Sequence, residues 1–294
     1  MRLSGARERR LRGATVSAPD ELYVLARHAL LDALTALGEH RQALILVGAQ
    51  AVYLRVGESD LAVAPFTTDG DLAVDPSLLQ QLPPLEQVLT RAGFAPQRPD
   101  SIGIWITQRQ MMDQTVHAVA IDLLVPESVS PRGGRRAANL RGHDRRAARI
   151  VRGIEGALVD SSIMTLAALT PGDARTLDVR VAGPAALVVA KVHKIDDRKD
   201  SERLSDKDAL DVLRLLQGTT TSDLAHRYAR LLADERSRDA ATRGRVLLER
   251  QFASPRGTGV GMARRAVGML ADPEQVSASL VALSGDLLER IGTS

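Results

Sequence analysis

Residues 66–74, with the sequence FTTDGDLAV, place two aspartates on alternate positions of an apolar run that is typical of a β-strand. In a strand, Asp69 and Asp71 point to the same face of the sheet because side chains alternate between faces. Two neighbouring carboxylates repel each other and are costly to bury unless a cation lies between them. A hard divalent ion such as Mg²⁺ prefers oxygen ligands of this kind. The stretch therefore predicts a metal-binding pair, with an exposed Asp-Gly-Asp turn as the alternative.

The composition excludes several classes of protein and site. The chain has 294 residues, enough for one large domain or two ordinary ones, and 44% of them are apolar. The absence of cysteine excludes disulfides, thiolate metal ligands and a cysteine nucleophile. Aromatic residues make up only 2%, so an aromatic platform for base stacking is not expected. No run approaches the ~18 apolar residues of a membrane span, and the start lacks the apolar stretch of a signal peptide, so a soluble, cytoplasmic protein without membrane contact is expected.

The pattern of the chain predicts three regions. Residues 1–17 carry five arginines and little apolar content, which predicts a flexible basic arm that is solvated or reaches for a polyanion. Residues 18–182 mix helical and strand patterns, including short apolar strands at 43–47 and 116–125, and predict a mixed sheet with flanking helices. Helical periodicity over 183–294 predicts a C-terminal helical lobe. The expected fold class is therefore α+β.

Helical signals in the middle region predict how the sheet is flanked. Apolar residues recur at helical spacing over residues 19–40. Another helical stretch over 77–94 is interrupted by Pro83 and Pro84, which predict a break followed by a second helix from Leu85. Gly48 separates the apolar strand at 43–47 from a helix that begins at Ala49. A glycine at such a joint lets the backbone approach a ligand closely, and a helix start offers free amides to a phosphate.

A third acid lies in the strand at 116–125. Asp122 occupies the middle of this apolar run, where an unpaired carboxylate would cost roughly several kcal/mol. Its partner is expected to be either a metal ion shared with Asp69 and Asp71 or the guanidinium of an arginine. These two alternatives stay open on the sequence alone.

The lysines of the chain are confined to one short segment. Lysine occurs at only four positions, and every other basic residue is an arginine; the four are Lys191, Lys194, Lys199 and Lys207. An ammonium and a guanidinium are not interchangeable, so these lysines are candidates for a specific role. The helical pattern after Gly183 directs Lys191, Lys194 and Arg198 outward. In the next helix Asp208 and Asp211 share one face because they are three residues apart.

A dense basic patch follows the strand that contains Asp122. Its arginines are Arg132, Arg135, Arg136, Arg141, Arg145, Arg146, Arg149 and Arg152. Phosphate backbones are the usual partners of such a surface, through charge and counterion release. A solvated loop is an equal alternative from the composition alone.

The order of these parts resembles the nucleotidyltransferase fold, and within it the AbiEii/MenT-type toxins of bacterial toxin-antitoxin pairs. The resemblance covers roughly residues 40 to 216 and rests on the strand followed by Gly48, the acidic pair, Asp122, Lys191 and the Asp208/Asp211 pair. The chain departs from the family pattern at Ala49, where the family has glycine or serine, and at Gly70, where it has an apolar residue. Losing a serine hydroxyl removes one phosphate contact and leaves the backbone amides.

The resemblance implies roles for these residues. Two Mg²⁺ ions would be held by Asp69, Asp71 and Asp122, and the triphosphate of an NTP would lie near Gly48 and Ala49. The remaining assignments are nucleotide contacts for Thr68, Lys191, Lys194 and Arg198, and catalytic roles for Asp69, Asp71, Lys191 and either Asp208 or Asp211. The arginines from Arg132 to Arg146 would hold an RNA acceptor by its backbone.

The function expected from this resemblance is Mg²⁺-dependent transfer of a nucleoside monophosphate from an NTP to RNA. The implied acceptor is the tRNA 3′ end, and the implied partner is a cognate antitoxin protein. Two alternatives stay open: transfer to a protein or small-molecule hydroxyl by the same site, and a non-catalytic RNA-binding or antitoxin-like module with a decayed site. The choice of nucleotide, the antitoxin and the oligomeric state lie beyond the sequence.

Overall fold

The computed structural model describes residues 20–57, 66–130, 136–199 and 205–292. The eight strands of its sheet are β1 (Leu44–Val47), β2 (Asp69–Val74), β3 (Ala95–Pro96), β4 (Ile104–Gln110), β5 (Val116–Pro126), β6 (Arg149–Val151), β7 (Ser161–Ala167) and β8 (Thr176–Ala182). The α-helices in the described residues are α1 (Glu21–Ala36), α2 (Gly48–Val56), α3 (Leu85–Arg91), α4 (Pro184–Arg198), α5 (Lys207–Gly218), α6 (Thr221–Ala233), α7 (Arg238–Phe252), α8 (Thr258–Val267) and α9 (Pro273–Gly292). The expected basic arm at 1–17 lies outside the described residues.

The eight strands form one mixed sheet, in which seven follow the order β3-β4-β5-β2-β1-β8-β7 and β6 pairs with β5 outside this order. β2 runs parallel to β5 and antiparallel to β1, while β1 runs parallel to β8. β6 adds to the carboxyl-terminal part of β5, beyond the point where β4 pairs with it. The acidic strand β2 therefore lies in the interior of the sheet, between the strand that leads to Gly48 and the strand that carries Asp122.

The two faces of β2 have different neighbours. A Cβ atom at Gly70 would lie 2.9 Å from Ile121 Cδ1 and 3.2 Å from Leu30 Cδ1, so this face of the strand packs closely under α1. Side chains alternate along a strand, and Asp69 and Asp71 consequently point to the opposite face. Gly70 therefore has a packing role, because a larger side chain would push α1 away from the sheet.

The carboxyl-terminal helices reach the sheet through α2, which packs on β1 and β2. α4 follows β8 directly after Gly183, and it contacts α2, α5, α6 and α7. Its apolar side chains, such as Leu187, Val188 and Val189, are buried all around the helix. α5 also packs against α2, the helix that begins at Gly48. The expected α+β architecture, a mixed sheet with flanking helices and a helical C-terminal region, is confirmed.

Two sequence predictions of secondary structure were wrong in detail, and one strand was missed. Residues 77–84 are not helical, whereas the second helix predicted to begin at Leu85 is present as α3. The first helix ends at Ala36 and not at His40, since a short 3₁₀ segment follows it. β8 was not predicted at all, although Leu177, Val179 and Val181 alternate as a strand requires.

Within the described residues, no helix combines the length and the apolar character that crossing a lipid bilayer would demand.

Candidate active site

The acidic pair lies on one face of β2, where the sheet meets the start of α2. Asp71 is the register partner of Val47 on β1, the residue directly before α2, and of Asp122 on β5. Asp69 accepts a 2.6 Å hydrogen bond from the Thr67 hydroxyl, which fixes one carboxylate oxygen. Both aspartates line the same two cavities. The predicted same-face arrangement of the two carboxylates is therefore present in the structure.

Gly48 permits the close approach between α2 and this pair. Its φ is +72°, a left-handed conformation that favours glycine. A Cβ atom at this position would lie only 2.0 Å from Asp71 Oδ2. The strand-to-helix turn and the acidic strand can thus approach each other only because residue 48 has no side chain.

The electrostatics of the pair favour a bound cation. Burial and the neighbouring Asp69 carboxylate raise the pKa of Asp71 to about 7, although Lys194 opposes this effect. A carboxylate with a raised pKa is one whose negative charge is incompletely compensated by its surroundings. A divalent ion between Asp69 and Asp71 would supply that compensation, and the oxygen donors suit Mg²⁺. The donor set of these two residues therefore fits the implied metal.

Asp122 is adjacent to the pair and already has a cationic partner. Its Oδ2 accepts a hydrogen bond from Nη2 of Arg149, and the two groups form a half-buried ion pair. Burial raises the pKa of Asp122, although the Arg149 guanidinium opposes this shift. Over the described ranges, no three Asp, Glu or His side chains are arranged to hold a metal ion. Of the two partners considered for Asp122, the arginine is the one in contact.

Lys191 does not point outward, and that prediction was wrong. Its side chain is 3% exposed, and Nζ donates hydrogen bonds to Asp208 Oδ1 at 2.7 Å and to Asp211 Oδ2 at 2.6 Å. Asp211 also accepts a 2.9 Å hydrogen bond from Arg214. Helical periodicity identifies a face of α4, but α5 covers this face in the fold. Lys191 is thus held by two carboxylates, and it also lines both cavities beside the acidic pair.

Lys194 and Arg198 lie further along the same face of α4 and reach the cavities. The Lys194 side chain is 32% exposed, and its Nζ lies 3.3 Å from Asp208 Oδ1. Lys194, Arg198 and the acidic pair line both cavities. Burial opposes the ionisation of Asp208, but Lys191 and Lys194 outweigh it and lower the pKa of Asp208 to about 2. Asp208 therefore anchors both lysines as a carboxylate.

The two cavities differ in their lining. The larger, about 260 Å³, is bounded by Gly48, Asp122, Arg149, Arg152 and aliphatic residues of β6 and α4. The smaller, about 160 Å³, is lined by Ala49, Thr68, Phe66 and residues of α5. In the smaller cavity Lys207 Nζ lies 3.5 Å from the centroid of the Phe66 ring. The predicted nucleotide-contacting residues are therefore distributed over two cavities that share the acidic pair in their lining.

The predicted RNA-binding arginines are only partly described. Arg132 and Arg135 lie outside the described residues, whereas Arg136, Arg141, Arg145 and Arg146 are exposed. Arg136 lines the larger cavity, and Arg146 donates hydrogen bonds to Asp144 and to the carbonyl of Pro99. The described part of the patch consequently begins at the rim of the cavity and extends over the neighbouring surface.

A hydrogen-bonded chain behind Asp69 was not foreseen from the sequence. The buried Arg27 of α1 donates from Nε to Gln50 Oε1 at 2.7 Å. Gln50 in turn donates from its amide nitrogen to the backbone carbonyl of Asp69 at 2.9 Å. The chain fixes the start of β2 relative to the start of α2. Nothing in the sequence signals it, because an arginine in an amphipathic helix is usually exposed.

Comparisons with known proteins give little guidance. No protein-family model and no curated protein matches the chain. Among solved structures, an antigenic nucleotidyltransferase-like protein from Paracoccidioides brasiliensis aligns with 13% sequence identity and a TM-score of 0.39, over 77% of this chain and 94% of that chain. A likeness at this level carries no functional argument.

Proposed function

We propose that this chain is a metal-dependent nucleotidyltransferase, which transfers a nucleoside monophosphate from an NTP to an acceptor hydroxyl. The observation that carries the proposal is the contact between Gly48 and Asp71, since it brings a helix start, with its free amides, onto a pair of carboxylates. Helix starts bind phosphates, and paired carboxylates bind divalent cations. Lys194 and Arg198 face the same space from α4.

We further propose that the chain is an AbiEii/MenT-type toxin that acts on RNA. The proposed acceptor is the tRNA 3′ end, and a cognate antitoxin protein is the proposed partner in the cell. Exposed arginines at the rim of the larger cavity support a polyanionic acceptor, because clustered arginines bind phosphate backbones. This observation favours RNA over a small-molecule acceptor.

Each residue has a defined task in the proposed reaction. Asp69 and Asp71 hold Mg²⁺, which when bound neutralises phosphate charge and lowers the pKa of the acceptor hydroxyl. Backbone amides at Gly48 and Ala49 bind the triphosphate, and Lys194 and Arg198 add positive charge to it. The acceptor oxygen bonds to the α-phosphorus while the bond to pyrophosphate breaks, and the hydroxyl proton leaves to solvent. Lys191 and Asp211 fix Asp208, which positions Lys194.

The test is nucleotide transfer by the purified protein with labelled NTPs, Mg²⁺ and total tRNA. We expect labelled tRNA 3′ ends with the wild type and none with Asp71→Asn. Asp75→Asn is the matched control, because Asp75 lies just beyond the other end of β2 and its carboxylate accepts hydrogen bonds from Ser77. Equal labelling by wild type and Asp71→Asn, or labelling by neither, would refute the proposal.

The toxin role is tested separately in a bacterial host. Induction of the wild-type gene should slow growth, whereas induction of an Asp69→Ala copy should not. Slower growth with both copies would show that the effect does not need the carboxylates. Transfer activity without any effect on growth would refute the toxin role and leave the enzymatic proposal intact.

A further inference from the structure

The position of Asp122 in the sheet bears on the number of metal ions that the site can hold. Asp71 and Asp122 are register partners on adjacent parallel strands, and both line the larger cavity. Side chains of register partners lie on the same face of a sheet. Asp122 is thus placed beside the acidic pair, where a second divalent ion would use it as a ligand.

Arg149 is held beside Asp122 by the backbone of the sheet. It is the first residue of β6 and the register partner of Leu124 on β5, and it forms a β-bridge with Ala137. A Cβ atom at Gly103 would lie 2.6 Å from the backbone nitrogen of Arg149, so the strand is closely packed. The guanidinium therefore reaches Asp122 from a fixed position and not from a loose loop.

Asp122 has a cationic partner in direct contact, the guanidinium of Arg149. The Asp122 and Arg149 side chains are 12% and 25% exposed, so their ion pair is weakly screened by solvent. Within the described part of the chain, Arg149 Nε is buried without a hydrogen-bond partner, and the contact with Asp122 comes from Nη2.

We propose that Arg149 takes the place of the second divalent cation in the free protein. It neutralises Asp122 and limits the site to one ion, bound by Asp69 and Asp71. The inference rests on the proposed function, since it assumes that the acidic pair is a metal site. Removal of the guanidinium frees a third carboxylate beside the pair and opens a second ion site.

The test counts bound Mn²⁺ on the full-length protein by electron paramagnetic resonance, without nucleotide. We expect one tightly bound ion in the wild type, two in Arg149→Met and none in Asp71→Asn. Arg152→Met is the matched control and should bind one ion, because Arg152 lines the same cavity but pairs with Glu127. One ion in Arg149→Met, or two in the wild type, would overturn the inference.

A second variant keeps the test decisive if Arg149→Met does not fold. Asp122→Asn combined with Arg149→Met removes both charges of the ion pair and should still bind one Mn²⁺ with an affinity close to that of the wild type, since Asp122 is not a ligand in the free protein. A fall in affinity of roughly tenfold or more would make Asp122 a ligand and refute the inference. Absence of Mn²⁺ binding by the wild type would refute the metal site itself, and hence the proposed function as well.

Discussion

Gly48 is required for two reasons, its left-handed backbone conformation and the absence of a side chain beside Asp71. Mutations can separate these two requirements. Gly48→Ala should lose about 1–3 kcal/mol of stability because φ is positive. It should also displace the Asp71 carboxylate, which a Cβ atom would overlap. We therefore expect Mn²⁺ affinity to fall roughly 10- to 100-fold, as it does when the support of a metal ligand is lost. Chemical denaturation and Mn²⁺ titration measure the two effects.

Gly57, at the other end of α2, provides the control. Its φ is +62°, but among the described residues beyond its sequence neighbours no heavy atom lies within 4 Å of the position that a Cβ atom would take. Gly57→Ala should therefore lose stability without losing Mn²⁺ affinity. Equal losses of affinity in both variants would mean that the steric contact with Asp71 is unimportant.

Lys191 and Lys194 lie one turn apart on α4, but we expect removal of Lys191 to lower the stability and removal of Lys194 to raise the KM for NTP. Lys191→Met leaves Asp208 and Asp211 buried with reduced compensation, which should cost about 3–5 kcal/mol of stability. Lys194→Met breaks a partly exposed contact and should cost less than about 1 kcal/mol. Only Lys194→Met should raise the KM for NTP in a protein of nearly normal stability. Urea unfolding measures the stability, and steady-state kinetics measure the KM. A large loss of stability in Lys194→Met, or a raised KM in a stable Lys191→Met, would contradict this assignment.

Asp208 makes stability depend on acid pH in a defined direction. Its pKa is about 2 in the folded protein, because Lys191 and Lys194 outweigh its burial, and about 3.9 when unfolded. A group whose pKa is lowered by folding stabilises the folded protein at pH values above its unfolded pKa. This stabilisation is lost as the pH falls from about 4 towards 2. The loss should be about 2–3 kcal/mol. Asp208→Asn, less stable at neutral pH, should lose less over this range, whereas parallel curves would contradict the prediction.

The connection from α1 through α2 to β2 depends on one glutamine. Gln50→Ala removes the acceptor of Nε of the buried Arg27, and it removes the donor to the Asp69 carbonyl. An unsatisfied buried group costs about 1–3 kcal/mol, so stability should fall by this amount. We also expect weaker Mn²⁺ binding, because the start of β2 is no longer fixed relative to α2.

A second buried glutamine gives the matched control for this connection. Gln251 of α7 donates a 3.0 Å hydrogen bond to the Val192 carbonyl, on a different helix and away from the acidic pair. Gln251→Ala should reduce stability but leave Mn²⁺ affinity unchanged. If both variants lose affinity equally, the effect reports general destabilisation rather than positioning of Asp69.

Features that depend on a single strand could be predicted from the sequence, whereas features that depend on contacts between distant elements could not. Alternation identified β2 and the face of Asp69 and Asp71, because one strand determines that face by itself. The outward prediction for Lys191 failed because α4 is buried on nearly every side, which depends on helices distant in sequence. The Arg149 contact with Asp122 likewise depends on the pairing of β6 with β5. Sequence alone offered an arginine or a metal at Asp122 and could not choose.

The candidate active site joins the sheet to the helical region. The acidic residues come from β2 and β5, whereas the cationic residues Lys194 and Arg198 come from α4. α2 links the two parts, since Arg214 of α5 lies 5.1 Å from the centroid of the Tyr53 ring. A Cβ atom at Gly218 of α5 would lie 2.8 Å from a side-chain carbon of Val56. Movement of the helices would therefore disturb the site directly.

This packing predicts that the sheet and the helices unfold together. Trp105, the single tryptophan, is buried in β4 and donates an indole hydrogen bond to the Ala147 carbonyl, so its fluorescence reports on the sheet. Most of the described helical residues lie in α4–α9, so far-ultraviolet circular dichroism reports on the helices. Urea unfolding curves from both signals should coincide, as they do for one cooperative unit. Lys191→Met should shift both curves equally, although the change lies within the helices. Loss of the helical signal at a different urea concentration would instead divide the chain into two independently folding parts, with the candidate site at their boundary.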